Sequence, residues 1–247
     1  MNLNIHEASL YIHKLASSIE NHNDVEVVVA PTLLALQPIS LQIDNRQFKL
    51  AAQNFYWRDH GAFTGEVSAN QLRGLIKYGL VGHSERRHLF HEHGRNLRHK
   101  VQAAFRNQFI PVLCIGETAS ERAENETVMV LHDQLIEGLS NITAEEAKNL
   151  VVAYEPVWAI GTGENATPDD VTKAVKAIRS QVNHLFGHGA AEEVRVLYGG
   201  SVSVDNAASY LNLDGIDGLL IGGASLNAEM FSRIVKLAHT SKKKESK

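Results

Sequence analysis

The chain has 247 residues, of which 44% are hydrophobic, and it carries a formal net charge of −4. This length and apolar content allow one large buried core, and the negative charge argues against a nucleic-acid partner. The single cysteine, Cys114, excludes an internal disulfide framework, and no segment resembles a signal peptide or a membrane span. We therefore expect a cytoplasmic protein with one domain over residues 1–247 and a polar, disordered tail at 241–247.

The predicted elements begin with a helix and continue with alternating strands and helices. Ile5, Ile12 and Leu15 recur at helical spacing near the start of the chain. Seven short apolar runs follow, and each is typical of a buried strand. They lie near residues 25–30, 49–53, 78–82, 111–115, 150–154, 194–198 and 218–221. Helical patterns separate these runs, so we predict a parallel sheet with right-handed crossovers.

The third apolar run ends at a histidine. His83 lies at the tip of this predicted strand, where a catalytic imidazole would be placed. Several other histidines lie in a polar helical stretch, which we interpret as a solvated face; they are His88, His91, His93 and His99. The spacing of His91 and His93 would suit a metal, but no cluster of Cys or carboxylates completes a ligand set. We therefore predict no metal site.

Glu155 stands at the end of the fifth run, directly before a loop. Pro156 prevents continued sheet pairing, and Gly161 and Gly163 relax the backbone of the loop. Thr167 then opens a helix as a capping residue. The pattern indicates a general base beside a mobile lid, although an acid after a strand is also commonly a solvated loop residue.

Glycine-rich turns follow the last two apolar runs. One contains Gly199, Gly200 and Ser201, and the other contains Gly222 and Gly223. Glycines let the main chain approach a ligand closely, and amides at the start of a following helix favour an anion. Either turn by itself is also typical of an ordinary connection. Together they predict a phosphate site, because the last strands of parallel α/β barrels commonly hold phosphate.

Six segments carry a family resemblance. They are Gly61-Ala62-Phe63-Thr64-Gly65-Glu66, Gly82-His83-Ser84-Glu85-Arg86-Arg87, Cys114-Ile115-Gly116-Glu117-Thr118, Ala153-Tyr154-Glu155-Pro156-Val157-Trp158-Ala159-Ile160-Gly161-Thr162-Gly163, Tyr198-Gly199-Gly200-Ser201-Val202 and Gly222-Gly223-Ala224-Ser225-Leu226. In this order they resemble the triosephosphate isomerase family. The resemblance implies a TIM (β/α)8-type barrel, of which seven strands are readable here. It also implies the interconversion of D-glyceraldehyde 3-phosphate and dihydroxyacetone phosphate through an enediolate, as in glycolysis and gluconeogenesis.

The resemblance assigns roles to residues within these segments. Glu155 is implied as the base and His83 as the electrophile, with Ser84 and Glu85 supporting the site. The residues implied to bind the substrate phosphate through their amides are Gly161, Ser201, Gly222 and Gly223. Those implied in the lid and its support are Pro156, Val157, Trp158, Ala166 and Tyr198. The chemistry calls for neither a metal nor an organic cofactor, since proton transfer needs only these side chains.

The segment 54–66 is long and polar for a plain turn. In the resembled family it projects into a neighbouring subunit, which implies a homodimer in which Phe63, Thr64 and Gly65 approach the partner's active site. A mobile surface loop is the alternative interpretation.

The start of the chain departs from the resembled family. There, a first strand ends in an Asn-Trp-Lys-Met-Asn-like run, and Met1 and Asn2 match its last two positions. Either the start has been assigned too late, or the protein lacks one strand of the barrel. Without the lysine we expect reduced activity, because loss of one preorganised donor costs about 10²–10³-fold in turnover. The alternative function is a catalytically silent phosphate-binding barrel with a structural or interaction role.

Overall fold

The computed structural model describes residues 1–19 and 24–245, with side chains described through residue 241. Seven parallel strands form one sheet, and each pairs with the next along the chain. The strands are β1 Val27–Val29, β2 Phe48–Ala52, β3 Tyr78–Val81, β4 Ile110–Ile115, β5 Val151–Tyr154, β6 Arg195–Tyr198 and β7 Gly218–Leu219. They confirm the seven predicted runs, and the sheet curls as expected for a (β/α) barrel.

Helices separate the strands and cover the outside of the sheet. They are α1 Ile5–Ser18, α2 Leu33–Ser40, α3 Ala69–Leu72, α4 Ser84–Leu89, α5 Gly94–Arg106, α6 Ala119–Ala123, α7 Thr127–Leu139, α8 Ala144–Ala147, α9 Pro168–Phe186, α10 His188–Glu193, α11 Ala207–Leu211 and α12 Ala228–Glu245. Two 3₁₀ turns lie at Val157–Ala159 and Gly223–Leu226. Helix α12 continues into the segment predicted as a tail, of which residues 246–247 lie outside the described part.

Two apolar layers follow from the alternation of side chains along the strands. On β4, Val112 and Cys114 point into the barrel, where they join Tyr78 of β3 and Ala153 of β5. Leu113 and its outward-facing counterparts pack against the helices instead. The interior is therefore filled with side chains, and the reactive groups are left to the loops at the ends of the strands.

Strands β1 and β7 are not paired with each other among the described residues. Helix α1 spans this opening from outside, since it packs against both α2 and α12. The hydroxyl of Tyr11 on α1 donates to the carbonyl of Ser225, at 2.5 Å.

A partly exposed ion pair also links β1 and β6 near the amino ends of the strands. Nη1 of Arg195 donates to Oε2 of Glu26 at 3.2 Å, and the Tyr78 hydroxyl donates to the same oxygen. Glu26 directly precedes β1 and Arg195 begins β6, so this contact joins the start of β1 to a strand that is not its neighbour in the sheet. None of the described helices is long and apolar enough to cross a membrane.

Candidate active site

The predicted base and electrophile meet at the carboxyl edge of the sheet. Glu155 directly follows β5, and His83 follows β3 after Gly82. Their side chains touch, with Nε2 of His83 lying 3.1 Å from Oε1 of Glu155. Glu155 is only 2% exposed, whereas the His83 side chain is 27% exposed. A buried carboxylate is thus joined to an imidazole that still reaches solvent.

The carboxyl of Glu155 is held from two sides. Its Oε2 accepts a hydrogen bond from the backbone amide of Ser84, at 2.9 Å. Burial raises the pKa of Glu155, and the contacts with His83 and Ser84 only partly oppose this effect. A carboxylate that has been taken out of water gains more by accepting a proton, which is the property a general base needs.

The backbone of α4 orients the imidazole. His83 is the N-terminal cap of this helix, and its Nδ1 accepts a hydrogen bond from the amide of Glu85, at 3.3 Å. A ring nitrogen that accepts cannot carry a proton, so this contact places the proton of the neutral ring on Nε2. The ring therefore presents an N–H donor toward the base. The Glu85 side chain is 72% exposed, and the closer contact of this residue with the ring is made by its backbone amide. Ser84 is buried.

Two glycines that were not assigned roles from sequence allow Glu155 to sit where it does. A Cβ at Gly116, which follows β4, would lie 1.8 Å from the carbonyl oxygen of Glu155. A Cβ at Gly199 would lie 3.0 Å from Cγ of the same glutamate. The base thus packs between the ends of the two strands that flank β5.

Arg87 lies beneath the site and was also missed by the sequence analysis. It is 8% exposed, and it donates from Nε to the Gly82 carbonyl at 2.7 Å and from Nη2 to the Cys114 carbonyl at 2.8 Å. Burial lowers its pKa, although nearby acids including Glu155 oppose this. Because the guanidinium is committed to these two carbonyls, its main effect is to tie the end of β3 to β4.

The amino end of the predicted lid is anchored by a buried acid. Pro156 and the 3₁₀ turn Val157–Ala159 follow the base directly. Glu117, which is fully buried, accepts from Nε1 of Trp158 at 2.8 Å and from the hydroxyl of Tyr154. The amide of Val157 also donates to the Glu117 carbonyl, at 3.0 Å. Glu117 lies within a motif singled out from sequence, but nothing in its local pattern indicated this role.

The tip of the lid is exposed and its far end is held. Residues 161–165 are all exposed, and Gly161 has φ 73°. Ala166 is 2% exposed, and its carbonyl accepts from the hydroxyl of Tyr210 at 2.8 Å. The tip of the predicted lid thus stands in solvent while both of its ends are anchored.

Tyr198, the expected support for the lid near Ala166, lies beside both Tyr210 and the Ala166 backbone. Its ring packs against Tyr210 with 4.0 Å between the centroids. Its buried hydroxyl lies near the Ala166 backbone and the Tyr210 hydroxyl, but it makes no well-formed hydrogen bond among the described residues. The well-formed hydrogen bond to Ala166 is made by Tyr210, which the sequence analysis did not single out.

The two predicted phosphate turns lie at the same carboxyl edge. Ser201 follows β6, and its carbonyl accepts from the side-chain amide of Asn206 at 2.9 Å. Gly222 and Gly223 follow β7, and the space beside both α-carbons is open for 4 Å. Backbone at this position is therefore accessible to a ligand. No group of three or more described His, Cys, Asp or Glu residues is arranged to hold a metal ion.

The segment 54–66 has a defined structure in the free chain. The amide of Tyr56 donates to the Val67 carbonyl at 2.8 Å, and the rings of Tyr56 and Phe63 lie 4.6 Å apart. Phe63, Thr64 and Gly65 at the tip are exposed. The side chains expected to approach a partner are thus presented on a fixed loop.

A parallel α/β barrel with a carboxylate and an imidazole in contact at its carboxyl edge is the architecture of an acid–base enzyme. A family model described as triosephosphate isomerase matches residues 1–238. The chain belongs to the triosephosphate isomerase family, whose members are isomerases.

Individual relatives agree with the family match. A triosephosphate isomerase from Carboxydothermus hydrogenoformans is 43% identical over 231 residues, which cover 93% of this chain and 92% of the relative. One from Chloroherpeton thalassium is 46% identical over 86% of this chain and 85% of its own length. One from Geotalea uraniireducens is 42% identical over 94% of this chain and 93% of its own length.

Proposed function

We propose that this chain interconverts D-glyceraldehyde 3-phosphate and dihydroxyacetone phosphate. Glu155 removes a proton from the carbon next to the substrate carbonyl, and Nε2–H of His83 donates to the carbonyl oxygen. The resulting enediolate takes a proton on the neighbouring carbon, while His83 moves a proton between the two oxygens. The atoms of the substrate are conserved, since one carbon is oxidised as its neighbour is reduced.

The observation that carries this proposal is the contact of Glu155 with an imidazole whose proton is placed on Nε2. A donor already aimed at a developing oxyanion needs no reorganisation during the reaction, which makes it more effective than a solvent water. In the free protein the donor and the base engage each other. We infer that the substrate enters between them and takes over both contacts.

Phosphate binding is assigned to the amides of Gly161, Ser201, Gly222 and Gly223. The open space beside Gly222 and Gly223 supports this assignment, because backbone amides there are free of side-chain cover. Gly161 belongs to the lid, so binding would draw the lid over the substrate. A closed lid excludes water from the enediolate, whose phosphate is otherwise easily eliminated.

The primary test is kcat/KM for D-glyceraldehyde 3-phosphate. We expect residues 1–247 alone to be slower, by about 10²-fold or more, than a version extended at Met1 by a strand ending in Asn-Trp-Lys. Equal rates would show that the lysine is dispensable here. Activity in neither version would contradict the proposal.

The silent-barrel alternative predicts phosphate binding without isomerisation. Stabilisation by glycerol 3-phosphate measures binding without turnover, and a ligand at 100 times its Kd stabilises by about 2.7 kcal/mol. A rise in Tm in both versions without isomerisation in either would support this alternative.

We further infer a cytoplasmic homodimer. Exposed apolar side chains follow three neighbouring strands at the carboxyl edge: Leu34 after β1, Phe63 after β2, and Leu89 and Phe90 after β3. Several large apolar side chains exposed on neighbouring connections at one edge are typical of a protein interface. Phe90→Glu should convert the dimer to a monomer in sedimentation, whereas Leu41→Glu, near the opposite edge, should leave the mass unchanged.

The cytoplasmic location is supported by the buried free thiol of Cys114, which suits a reducing compartment.

A further inference from the structure

We propose that Arg122 is a latch that stabilises the open lid by joining its two ends. The inference rests on the proposed function, since it concerns the lid of the same site. Arg122 lies on α6, outside both the lid and the acid–base pair.

The first contact of Arg122 is with the amino end of the lid. Its guanidinium carbon lies 4.0 Å from the centroid of the Trp158 ring. A cation over an indole face is attracted by the ring quadrupole, and tryptophan is the best partner for such a contact. Because Trp158 also donates to Glu117, its ring is held between an acceptor at its edge and a cation at its face.

The second contact is with the carboxyl end of the lid. Nη2 of Arg122 donates to Oδ2 of Asp170 at 3.2 Å. The same oxygen accepts from the amide of Thr167 at 3.1 Å and from its hydroxyl at 2.8 Å. Thr167 caps α9 at the point where the lid ends and the helix begins. Arg122 therefore binds the same Asp170 carboxylate that this capping residue binds. Burial alone would raise the pKa of Asp170, but the hydrogen bonds from Thr167 and Arg122 outweigh burial and lower it.

One side chain on a separate helix thus contacts both ends of the lid while the tip is exposed. Helix α6 is itself fixed by a capping box, in which the amide of Thr118 donates to the Glu121 carboxylate at 2.6 Å. A closing motion that releases Trp158 from Glu117 would also break its contact with Arg122. A contact that is stronger in one state shifts the equilibrium toward that state, so Arg122 favours the open lid.

The test compares Arg122→Met with Lys173→Met. Methionine removes the charge while keeping much of the side-chain length, and Lys173 makes an exposed ion pair with Asp169 on α9, at 2.6 Å. The readouts are amide hydrogen exchange over residues 157–166 in the free protein and the Kd of glycerol 3-phosphate. In Arg122→Met we expect the anchored amide of Val157 to exchange about threefold to fivefold faster, because this end of the lid is released from its anchor more often, and we expect binding tighter by a similar factor. Lys173→Met should match the wild type, and Arg122→Lys, which keeps the pair with Asp170, should be intermediate.

The outcomes separate a latch from a merely structural residue. A structural defect would lower Tm and weaken binding, whereas loss of a contact specific to the open state strengthens binding even if Tm falls. Unchanged exchange and Kd in Arg122→Met, or weaker binding, would overturn the inference. If the wild type does not isomerise the substrate, the proposed function fails, but exchange in the free protein still decides the latch because it requires no ligand.

Discussion

The α-carbon of Gly116 lies directly against the backbone carbonyl of Glu155. A Cβ at position 116 would approach the carbonyl oxygen to 1.8 Å and the carbonyl carbon to 2.5 Å. Neither group is the far end of a flexible side chain, so a larger residue must move the strand end that carries the base. The position of the base therefore depends on a glycine of the neighbouring strand.

The first prediction concerns this glycine. Gly116→Ala should destabilise the protein by about 1–3 kcal/mol through overpacking, and it should lower kcat because Glu155 shifts. Gly189→Ala is the matched control, since the space beside Gly189 in α10 is open and alanine favours helix. Thermal unfolding and turnover of both variants provide the measurement. A Tm and a kcat equal to those of wild type in Gly116→Ala would show that the strand ends can move apart more easily than the structure indicates.

The second prediction concerns the pH dependence of Glu155. Burial raises its folded-state pKa above the ordinary value of 4.5, so the native protein binds this proton more tightly than the unfolded chain. The ionised carboxyl therefore costs stability as the pH rises from the unfolded pKa through the folded one. The free energy of unfolding of Glu155→Gln, relative to wild type, should accordingly increase from about pH 4.5 upward and then level off.

Denaturant unfolding of wild type and Glu155→Gln across this pH range tests whether the difference in unfolding free energy rises with pH. A constant difference would mean that the carboxyl titrates normally. The same variant should lose about 10²–10⁴-fold in kcat, because glutamine cannot accept the proton.

The third prediction separates the two contacts of His83. Asparagine at this position can still cap α4, but it is too short to reach the substrate as the imidazole does. His83→Asn should stay within about 1 kcal/mol of wild-type stability. It should lose about 10²–10³-fold in kcat/KM. His88→Asn, on an exposed face of the same helix, should leave kcat/KM unchanged. Equal losses in the two variants would argue against the assigned electrophile.

The fourth prediction concerns Arg87. Arg87→Met leaves the carbonyls of Gly82 and Cys114 without their donor, and an unpaired buried acceptor costs about 1–3 kcal/mol. Lysine should recover only part of this loss, because an ammonium cannot donate in a fork. Arg46→Met removes an exposed pair with Asp44 and should change stability by less than about 1 kcal/mol. Chemical denaturation of the three variants provides the comparison.

The fifth prediction contrasts the two tyrosines near Ala166. Tyr210→Phe removes the hydrogen bond to the Ala166 carbonyl and should cost about 0.5–1.5 kcal/mol in the free protein. The Tyr198 hydroxyl makes no well-formed hydrogen bond among the described residues, so Tyr198→Phe should cost less stability. If Tyr198 supports the closed lid as the resemblance implies, Tyr198→Phe should nevertheless lower kcat/KM. The measurements are the stability and the kcat/KM of both variants. An effect of Tyr198→Phe on stability alone would contradict a role for Tyr198 in the closed lid.

The sequence by itself determined the order of the elements and the location of the reactive groups. Apolar runs separated by helical patterns indicated seven parallel strands, and the structure confirms them. Because carboxyl ends of parallel strands share one edge, His83 and Glu155 could be predicted to lie on the same side of the sheet. The family also followed from the chain alone, since its motifs occur at these strand ends.

Only the tertiary structure decided how these groups are held. The fork of Arg87 joins the ends of β3 and β4, Glu117 binds Trp158 across 41 positions of sequence, and Gly116 leaves room for Glu155. Tyr210 makes the well-formed hydrogen bond to the Ala166 carbonyl, at the end of the predicted lid. Local patterns report burial and turn chemistry along the chain. They do not specify which side chains meet once distant strands pair, because those contacts depend on the register and curl of the whole sheet.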